Sequence, residues 1–245
     1  SKKRNTRFTV AALSNSFSTG GGGYDFEHRV QATFLLGLLA EGFSPILSLP
    51  IVALDFQARR LGYHMDDLVV HCEGIGEEIK LLCQIKHGIT IGENRTFKEV
   101  IRAAWAAFNQ SNFNKSKDKL VLITGLIPNA DVLRWICSQA NVSSNEQDFI
   151  MRTQEANFSN NDIRNKLRVL RNCLAHANNS IALSDREIWE FCRAFELLVF
   201  DLAYENNINE FLIHALIACN SDQSATDVWG FLIDRVSRYN TNSAH

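Results

Sequence analysis

Three short segments with strand character, close together in the first half of the chain, constrain the fold most. They cover residues 51–58, 68–72 and 79–86, and branched aliphatic side chains are frequent in each. The connections between them contain glycine and are shorter than the dozen or so residues that a helical crossover between parallel strands needs. The three segments are therefore predicted to form an antiparallel meander.

Helical patterns stand on both sides of this meander. Residues 24–41 carry apolar side chains at helical spacing, and Gly42 followed by Pro45 ends the pattern. Residues 96–110 form a second amphipathic pattern, and residues 119–126 are predicted to return to the same sheet as a buried strand. The predicted order is αβββαβ, an α/β fold with a mixed central sheet.

Beyond residue 130 we expect only helices. The amphipathic patterns cover residues 132–139, 162–176, 185–204, 208–218 and 225–239. The chain is accordingly divided into a glycine-rich flexible lead, a core, a C-terminal helical subdomain and a polar tail that would suit a linker into a further domain. The predicted boundaries are 1–23, 24–130, 131–240 and 241–245.

Composition restricts the compartment and the partners. The six cysteines are widely spread and form no CxxC or Cys/His pattern with zinc spacing, so they are interpreted as reduced core thiols. No apolar run approaches the roughly 20 residues of a membrane helix. Residues 1–130 contain 15 Lys and Arg against 12 Asp and Glu, and residues 131–245 contain 10 against 15. We expect a cytoplasmic protein with no membrane partner, whose first half is the better surface for a polyanion.

Polar residues at the ends of two predicted strands are candidates for a metal site. Asp66 and Asp67 stand at the start of the second strand, where a pair of charges would be poorly placed as core. Gln84 and Lys86 alternate with apolar residues on the third strand, so they share one face. Carboxylate and amide oxygens suit Mg²⁺ or Mn²⁺, and a lysine can orient the water that attacks a phosphodiester.

These residues, in this order of elements, resemble the PD-(D/E)xK superfamily of restriction-endonuclease-like nucleases. The resemblance covers residues 20–126 and includes Glu27 on the first helix. The motifs that carry it are Gly-Gly-Gly-Tyr24-Asp25-Phe26-Glu27, Asp66-Asp67-Leu68-Val69-Val70 and Gln84-Ile85-Lys86-His87. Within the superfamily the chain is similar to the double-stranded DNA endonuclease domains of bacterial anti-phage proteins, found in CBASS effectors, STAND-type NTPase sensors and partners of HerA-like ATPases.

The resemblance implies a role for each residue. Asp67 would be the central metal ligand, with Asp66 as the fallback, and Glu27 would bind the metal directly or through water. Gln84 would donate an oxygen and Lys86 would orient the attacking water. Gln84 replaces the superfamily's usual acidic residue, so we expect weak metal affinity until a DNA phosphate completes the site.

The function implied is that of a Mg²⁺- or Mn²⁺-dependent endonuclease acting on double-stranded DNA. It would be the effector domain of a larger prokaryotic defence protein, activated by self-association that a fused or associated sensor or NTPase drives. Arg59, Arg60, Lys98 and Arg102 are candidates for contacts with DNA phosphates.

Two alternatives remain open at this stage. Arg171 and His176 have the spacing of the Arg and His of HEPN ribonucleases, which cleave RNA without metal. A pair of this kind near a helix end is also explained by favourable interaction with the helix dipole. The second alternative is a non-catalytic interaction module that keeps a decayed nuclease fold.

Overall fold

A mixed five-stranded sheet forms the centre of the protein in a computed structural model, which describes residues 22–155, 157–202 and 207–243. The strands are β1 (Ile51–Phe56), β2 (Leu68–Gly74), β3 (Glu77–Lys86), β4 (Lys119–Thr124) and β5 (Phe195–Val199). The helices are α1 (Gly22–Leu39), α2 (Arg95–Phe108), α3 (Ala130–Val142), α4 (Glu146–Gln154), α5 (Asn161–Ala177), α6 (Asp185–Ala194), α7 (Ile208–Asn220) and α8 (Ala225–Ser243), and a 3₁₀ helix covers Ala58–Leu61.

Neighbouring strands of the sheet follow the order of the chain. β1, β2 and β3 pair antiparallel, whereas β3, β4 and β5 pair parallel. The tight turn between β2 and β3 contains Gly76, whose φ of 76° is readily adopted only by glycine. The predicted meander, the αβββαβ order and the mixed sheet are confirmed.

The end of the chain differs from the prediction, because residues 185–204 do not form one helix. α6 ends at Ala194, and the chain continues at once as β5, whose Phe195 pairs with Leu120 of β4. Nothing local in the sequence Phe-Glu-Leu-Leu-Val distinguishes an edge strand from another helical turn. Hydrogen bonds to β4 and burial of Phe195 and Leu197 decide the outcome.

Helices cover both faces of the sheet. On β3, Leu82 faces a core formed with α2, α3, α5 and α6, whereas Leu81, Cys83 and Ile85 face a core formed with α1, α7 and α8. The region predicted as a helical subdomain, residues 131–240, thus contains a strand and contributes to both cores. Of the helices within the described ranges, none has the length and hydropathy that a membrane span requires.

The predicted terminal segments fit only in part. α1 begins at Gly22, two residues before the predicted start, and the rest of the lead, residues 1–21, lies outside the described residues. Residues 241–243 of the predicted tail belong to α8, and residues 244 and 245 lie outside the described residues. α4 was not predicted, and Asn145 starts it by accepting a hydrogen bond from the Asp148 N–H.

Replacing Phe195 tests whether β5 is part of the core. Phe195 is fully buried and stacks on Phe191, with ring centroids 5.4 Å apart. Phe195→Ala is expected to lower the free energy of unfolding in urea by about 3–5 kcal/mol, as is typical of a large cavity in a core. Phe43→Ala is the control, because the Phe43 side chain is exposed. Equal, small effects of the two substitutions would contradict the burial of β5.

Candidate active site

The register between β2 and β3 places two of the predicted site residues side by side. Leu68 lies opposite Cys83, so Asp67, just before β2, continues the register opposite Gln84. Side chains opposite each other in an antiparallel pair lie about 5 Å apart. Gln84 Nε2 donates a hydrogen bond to Asp67 Oδ2 at 2.5 Å, and Lys86 Nζ, two residues along the same face, lies 3.3 Å from that oxygen.

The Asp67 side chain is buried and held firmly. Besides Gln84 and Lys86, the backbone N–H of Ile85 donates to Asp67 Oδ2 at 2.7 Å. Three donors therefore meet on one carboxylate oxygen, and the carboxylate can rotate little without breaking one of these bonds. The other oxygen, Asp67 Oδ1, accepts no hydrogen bond from the described residues.

Glu27 reaches the same place from α1. Its Oε1 accepts hydrogen bonds from Gln57 Nε2 at 2.7 Å and from Gln31 Nε2 at 3.3 Å. Gln57 follows β1 in a left-handed conformation, with φ of 50°, so the chain turns sharply beside the site. Gln31 also donates to the backbone oxygen of Asp67 at 2.6 Å, which joins the two carboxylate residues through one side chain.

Burial and charge together perturb the Glu27 carboxyl. Burial raises its pKa from an ordinary value of 4.5 to about 7, and the negative charge of Asp67 adds to the rise. The positive charge of Lys86 and the hydrogen bond from Gln57 oppose it only in part. The site therefore holds more negative charge than its own cation compensates, and strongly perturbed carboxyls of this kind are frequent at functional sites.

The side chains fit a divalent cation by the chemistry of their open atoms. Asp67 Oδ1, Glu27 Oε2 and Gln84 Oε1 accept no hydrogen bond within residues 22–155, 157–202 and 207–243. Carboxylate and amide oxygens are the ligands that Mg²⁺ prefers. Throughout the part of the chain that the structure describes, no group of three His, Cys, Asp or Glu side chains could hold a metal. Two carboxylates and one amide are therefore the side chains that the described residues offer to such a cation at this site.

Asp66, the fallback ligand, is directed elsewhere. Its backbone oxygen accepts a hydrogen bond from the N–H of Ala58 at 2.7 Å, and its carboxylate lies 3.9 Å from Arg59. Burial and the neighbouring Asp67 raise the pKa of Asp66, while Arg59 lowers it. Asp67, not Asp66, makes the contacts with Gln84 and Lys86.

The predicted phosphate-contacting residues lie on two elements. Arg59 and Arg60 are exposed in the 3₁₀ helix that begins one residue after Gln57, next to the site. Arg102 is exposed and Lys98 half-buried on α2. The N–H groups of Gln57 and Ala58 donate hydrogen bonds to the backbone oxygens of Asp67 and Asp66. Arg59 and Arg60, which follow directly in the chain, are thereby held beside the segment that carries the two aspartates.

The histidines near the site in the sequence are placed differently in space. The exposed His87 lies against the Phe26 ring, with centroids 4.9 Å apart, at the end of β3. His71 is held between Asp55 at 2.8 Å and Glu78 at 2.9 Å. Four residues of strand separate His71 from Asp67, which corresponds to about 13 Å.

Arg171 and His176 are not brought together by α5. Five residues of helix place two side chains about 140° apart around its axis. Arg171 Nη2 is bound to Asp185 Oδ1 of α6 at 2.6 Å, and His176 is exposed in the last helical turn.

Sequence reasoning did not identify the amides that orient the carboxylates, namely Gln31 and Gln57. Gln31 offers a local signal, because it is a polar residue one turn after Glu27 within the apolar side of α1. Gln57 offers none, since it follows a strand as an ordinary turn residue would.

None of the protein-family models, curated proteins or solved structures compared with the chain matches it. The fold and the geometry of the site therefore carry the argument about function.

Replacing Glu27 tests the electrostatics of the site through stability. The pKa of Glu27 is raised in the folded state, so the free energy of unfolding falls as the pH rises from 4.5 to about 7 and stays low above. Glu27→Gln keeps the accepting oxygen and removes the charge. It is expected to raise the free energy of unfolding at pH 8, in EDTA, by roughly 1–3 kcal/mol after allowance for partial exposure, with little change at pH 5.

Urea unfolding at the two pH values measures this effect. Glu41→Gln serves as the control, because Glu41 is exposed just after α1. A Glu27→Gln protein that is less stable than the wild type at pH 8 would contradict the predicted sign.

Proposed function

We propose that the protein is a Mg²⁺-dependent endonuclease that cleaves double-stranded DNA. The observation that carries the proposal is the convergence of Glu27, Asp67, Gln84 and Lys86, with one open oxygen on each of the first three and an ammonium group 3.3 Å from Asp67. The αβββαβ order with this residue set also agrees with the resemblance to the PD-(D/E)xK nucleases. Mn²⁺ would suit the same oxygen ligands.

Each side chain has a definite task in this proposal. Asp67, Glu27 and Gln84 would hold the cation, which when bound neutralises charge that develops on the phosphate. The Lys86 ammonium is fixed beside Asp67 and is half-exposed, so it can donate a hydrogen bond to a water molecule that approaches a phosphorus atom. Gln57 and Gln31 keep the Glu27 carboxylate in place while the substrate binds.

Charge on the surface supports a nucleic acid as the substrate. Arg59 and Arg60 are exposed within a few residues of Gln57, and contacts with phosphates there would position a duplex without reading its sequence. We further propose that the protein acts as the effector part of a larger prokaryotic anti-phage protein. Self-association, driven by a fused or associated sensor or NTPase, would bring two sites onto opposite strands.

The HEPN-like alternative has little support from the geometry. The Arg171 guanidinium is bound to Asp185, and His176 lies on another side of the helix. A strand also interrupts the region that would have to form a helical domain. The non-catalytic module remains an outcome of the cleavage test.

Substitutions at the site should abolish duplex cleavage. Asp67→Asn and Lys86→Ala are expected to lower the rate of plasmid and linear duplex cleavage in Mg²⁺ or Mn²⁺ by at least about 100-fold, because each removes a group that acts on the reacting atoms. EDTA should have the same effect on the wild type. Asp55→Asn and Lys80→Ala are matched controls. Asp55 is a carboxylate bonded to His71, away from the site, and Lys80 lies on the same strand and face as Lys86.

An RNA substrate and His176→Ala complete this experiment. Cleavage of RNA alone, insensitive to EDTA and lost in His176→Ala, would replace the proposal with the HEPN-like alternative. Duplex binding without cleavage of any substrate at high protein concentration would leave the interaction module.

Removing the two exposed arginines should weaken duplex binding at all sequences alike. The double substitution Arg59→Gln/Arg60→Gln is expected to reduce the slope of log affinity against log salt by about 1–2, one counterion for each lost phosphate contact. Arg186→Gln/Arg193→Gln on α6 is the charge-matched control. Fluorescence anisotropy with a labelled duplex in Ca²⁺ measures the slope, and an unchanged slope would exclude these arginines from the interface.

A further inference from the structure

Two buried amides lead from the last helix to the candidate site. Asn240 on α8 and Gln31 on α1 are both buried, and Asn240 Nδ2 donates to Gln31 Oε1 at 2.7 Å. Gln31 Nε2 in turn donates to the Asp67 backbone oxygen at 2.6 Å and to Glu27 Oε1 at 3.3 Å. One glutamine side chain therefore contacts both carboxylate residues of the site.

The partners determine which way each amide faces. A backbone oxygen can only accept a hydrogen bond, so Gln31 must present its NH₂ group to Asp67. The Gln31 oxygen then faces Asn240, which must present its own NH₂ group. Both hydrogens of the Gln31 NH₂ group have acceptors, whereas Asn240 Oδ1 is buried with no hydrogen-bond partner among the described residues.

The unpaired oxygen makes Asn240 costly for stability. A buried polar atom without a partner costs about 1–3 kcal/mol. An apolar residue at position 240 would remove this oxygen, but it would leave the buried Gln31 Oε1 without its donor. The asparagine contributes a hydrogen bond to Gln31. This bond fixes the orientation of the Gln31 side chain, which also contacts Asp67 and Glu27.

We propose that Gln31 is a positioning residue of this site and that Asn240 holds it, so that α8 helps to set the geometry in which Glu27 and Asp67 bind a divalent cation. The inference rests on the proposed function. Gln31 fixes the backbone just before β2 and the carboxylate one turn earlier on its own helix. Residues that orient metal-binding side chains typically change metal affinity by 10- to 100-fold.

Mn²⁺ binding to the whole chain, measured from the electron paramagnetic resonance signal of free Mn²⁺, tests this role. Gln31→Met and Asn240→Leu remove the amides at similar size, and each is expected to weaken Mn²⁺ binding about 10-fold or more. Thr33→Val on α1 and Thr241→Val on α8 are matched controls, because each loses only a hydroxyl bonded to the backbone one turn earlier. The Mg²⁺ concentration for half-maximal duplex cleavage should rise in parallel.

The double variant Gln31→Met/Asn240→Leu distinguishes positioning from separate structural damage. Because both residues act through the same hydrogen-bonded chain, the double variant should bind Mn²⁺ no more weakly than Gln31→Met alone. Urea unfolding verifies that each variant is folded. Asn240→Leu removes one unpaired buried oxygen and leaves one in its place, Gln31 Oε1, whereas Gln31→Met breaks three hydrogen bonds. Asn240→Leu is therefore expected to fold even if Gln31→Met does not, and it decides the question alone in that case.

The outcomes separate the inference from the proposed function. Wild-type Mn²⁺ affinity in a folded Asn240→Leu protein, or equal weakening in the threonine controls, would overturn the positioning role while leaving a functional nuclease. A wild type that neither binds Mn²⁺ nor cleaves a duplex would overturn the proposed function and the positioning role with it.

Discussion

The antiparallel register between β2 and β3 is the constraint on which the fold and the site both depend. Alternation along β3 sends Leu81, Cys83 and Ile85 into the core beside α1 and directs Gln84 and Lys86 to the opposite face. A slip of one residue would exchange these two sets, burying a lysine in the core beside α1 and moving the apolar set to the face that carries the site. Burial of the apolar set thus fixes the position of the polar one opposite Asp67.

Placing two carboxylates close together destabilises the fold, and hydrogen bonds from nearby amide side chains reduce this effect. Two carboxylates face one ammonium group in a place partly shielded from water. Burial raises the pKa of Glu27, and the negative charge of Asp67 adds to the rise. Hydrogen bonds from Gln84, Gln57 and Gln31 orient the carboxylates without adding charge. Functional sites often concentrate such unfavourable electrostatics, and stability elsewhere in the fold compensates for them.

Features that depend on neighbouring residues could be predicted from the sequence. The order αβββαβ and the shared face of Gln84 and Lys86 follow from local periodicity and short connections. The choice between Asp66 and Asp67 required the strand register, which sequence alone leaves open. β5 could not be predicted, since its pairing with β4 joins residues about 75 positions apart and overrides a helix-compatible segment. Gln31 and Asn240 are still farther apart in the sequence, so their contact could not be predicted either.

The hydrogen bond between Gln31 and Asn240 joins residues 209 positions apart in the sequence. Bringing the ends of so long a loop together lowers the chain entropy before the contact itself can contribute favourable free energy. Such long-range pairings are therefore expected to form late in folding. During synthesis α1 and the strands of the sheet emerge from the ribosome before α8. A nascent chain therefore contains Glu27, Asp67, Gln84 and Lys86 before Asn240 is present to hold Gln31, and the hydrogen-bonded arrangement is complete only once α8 has been synthesised.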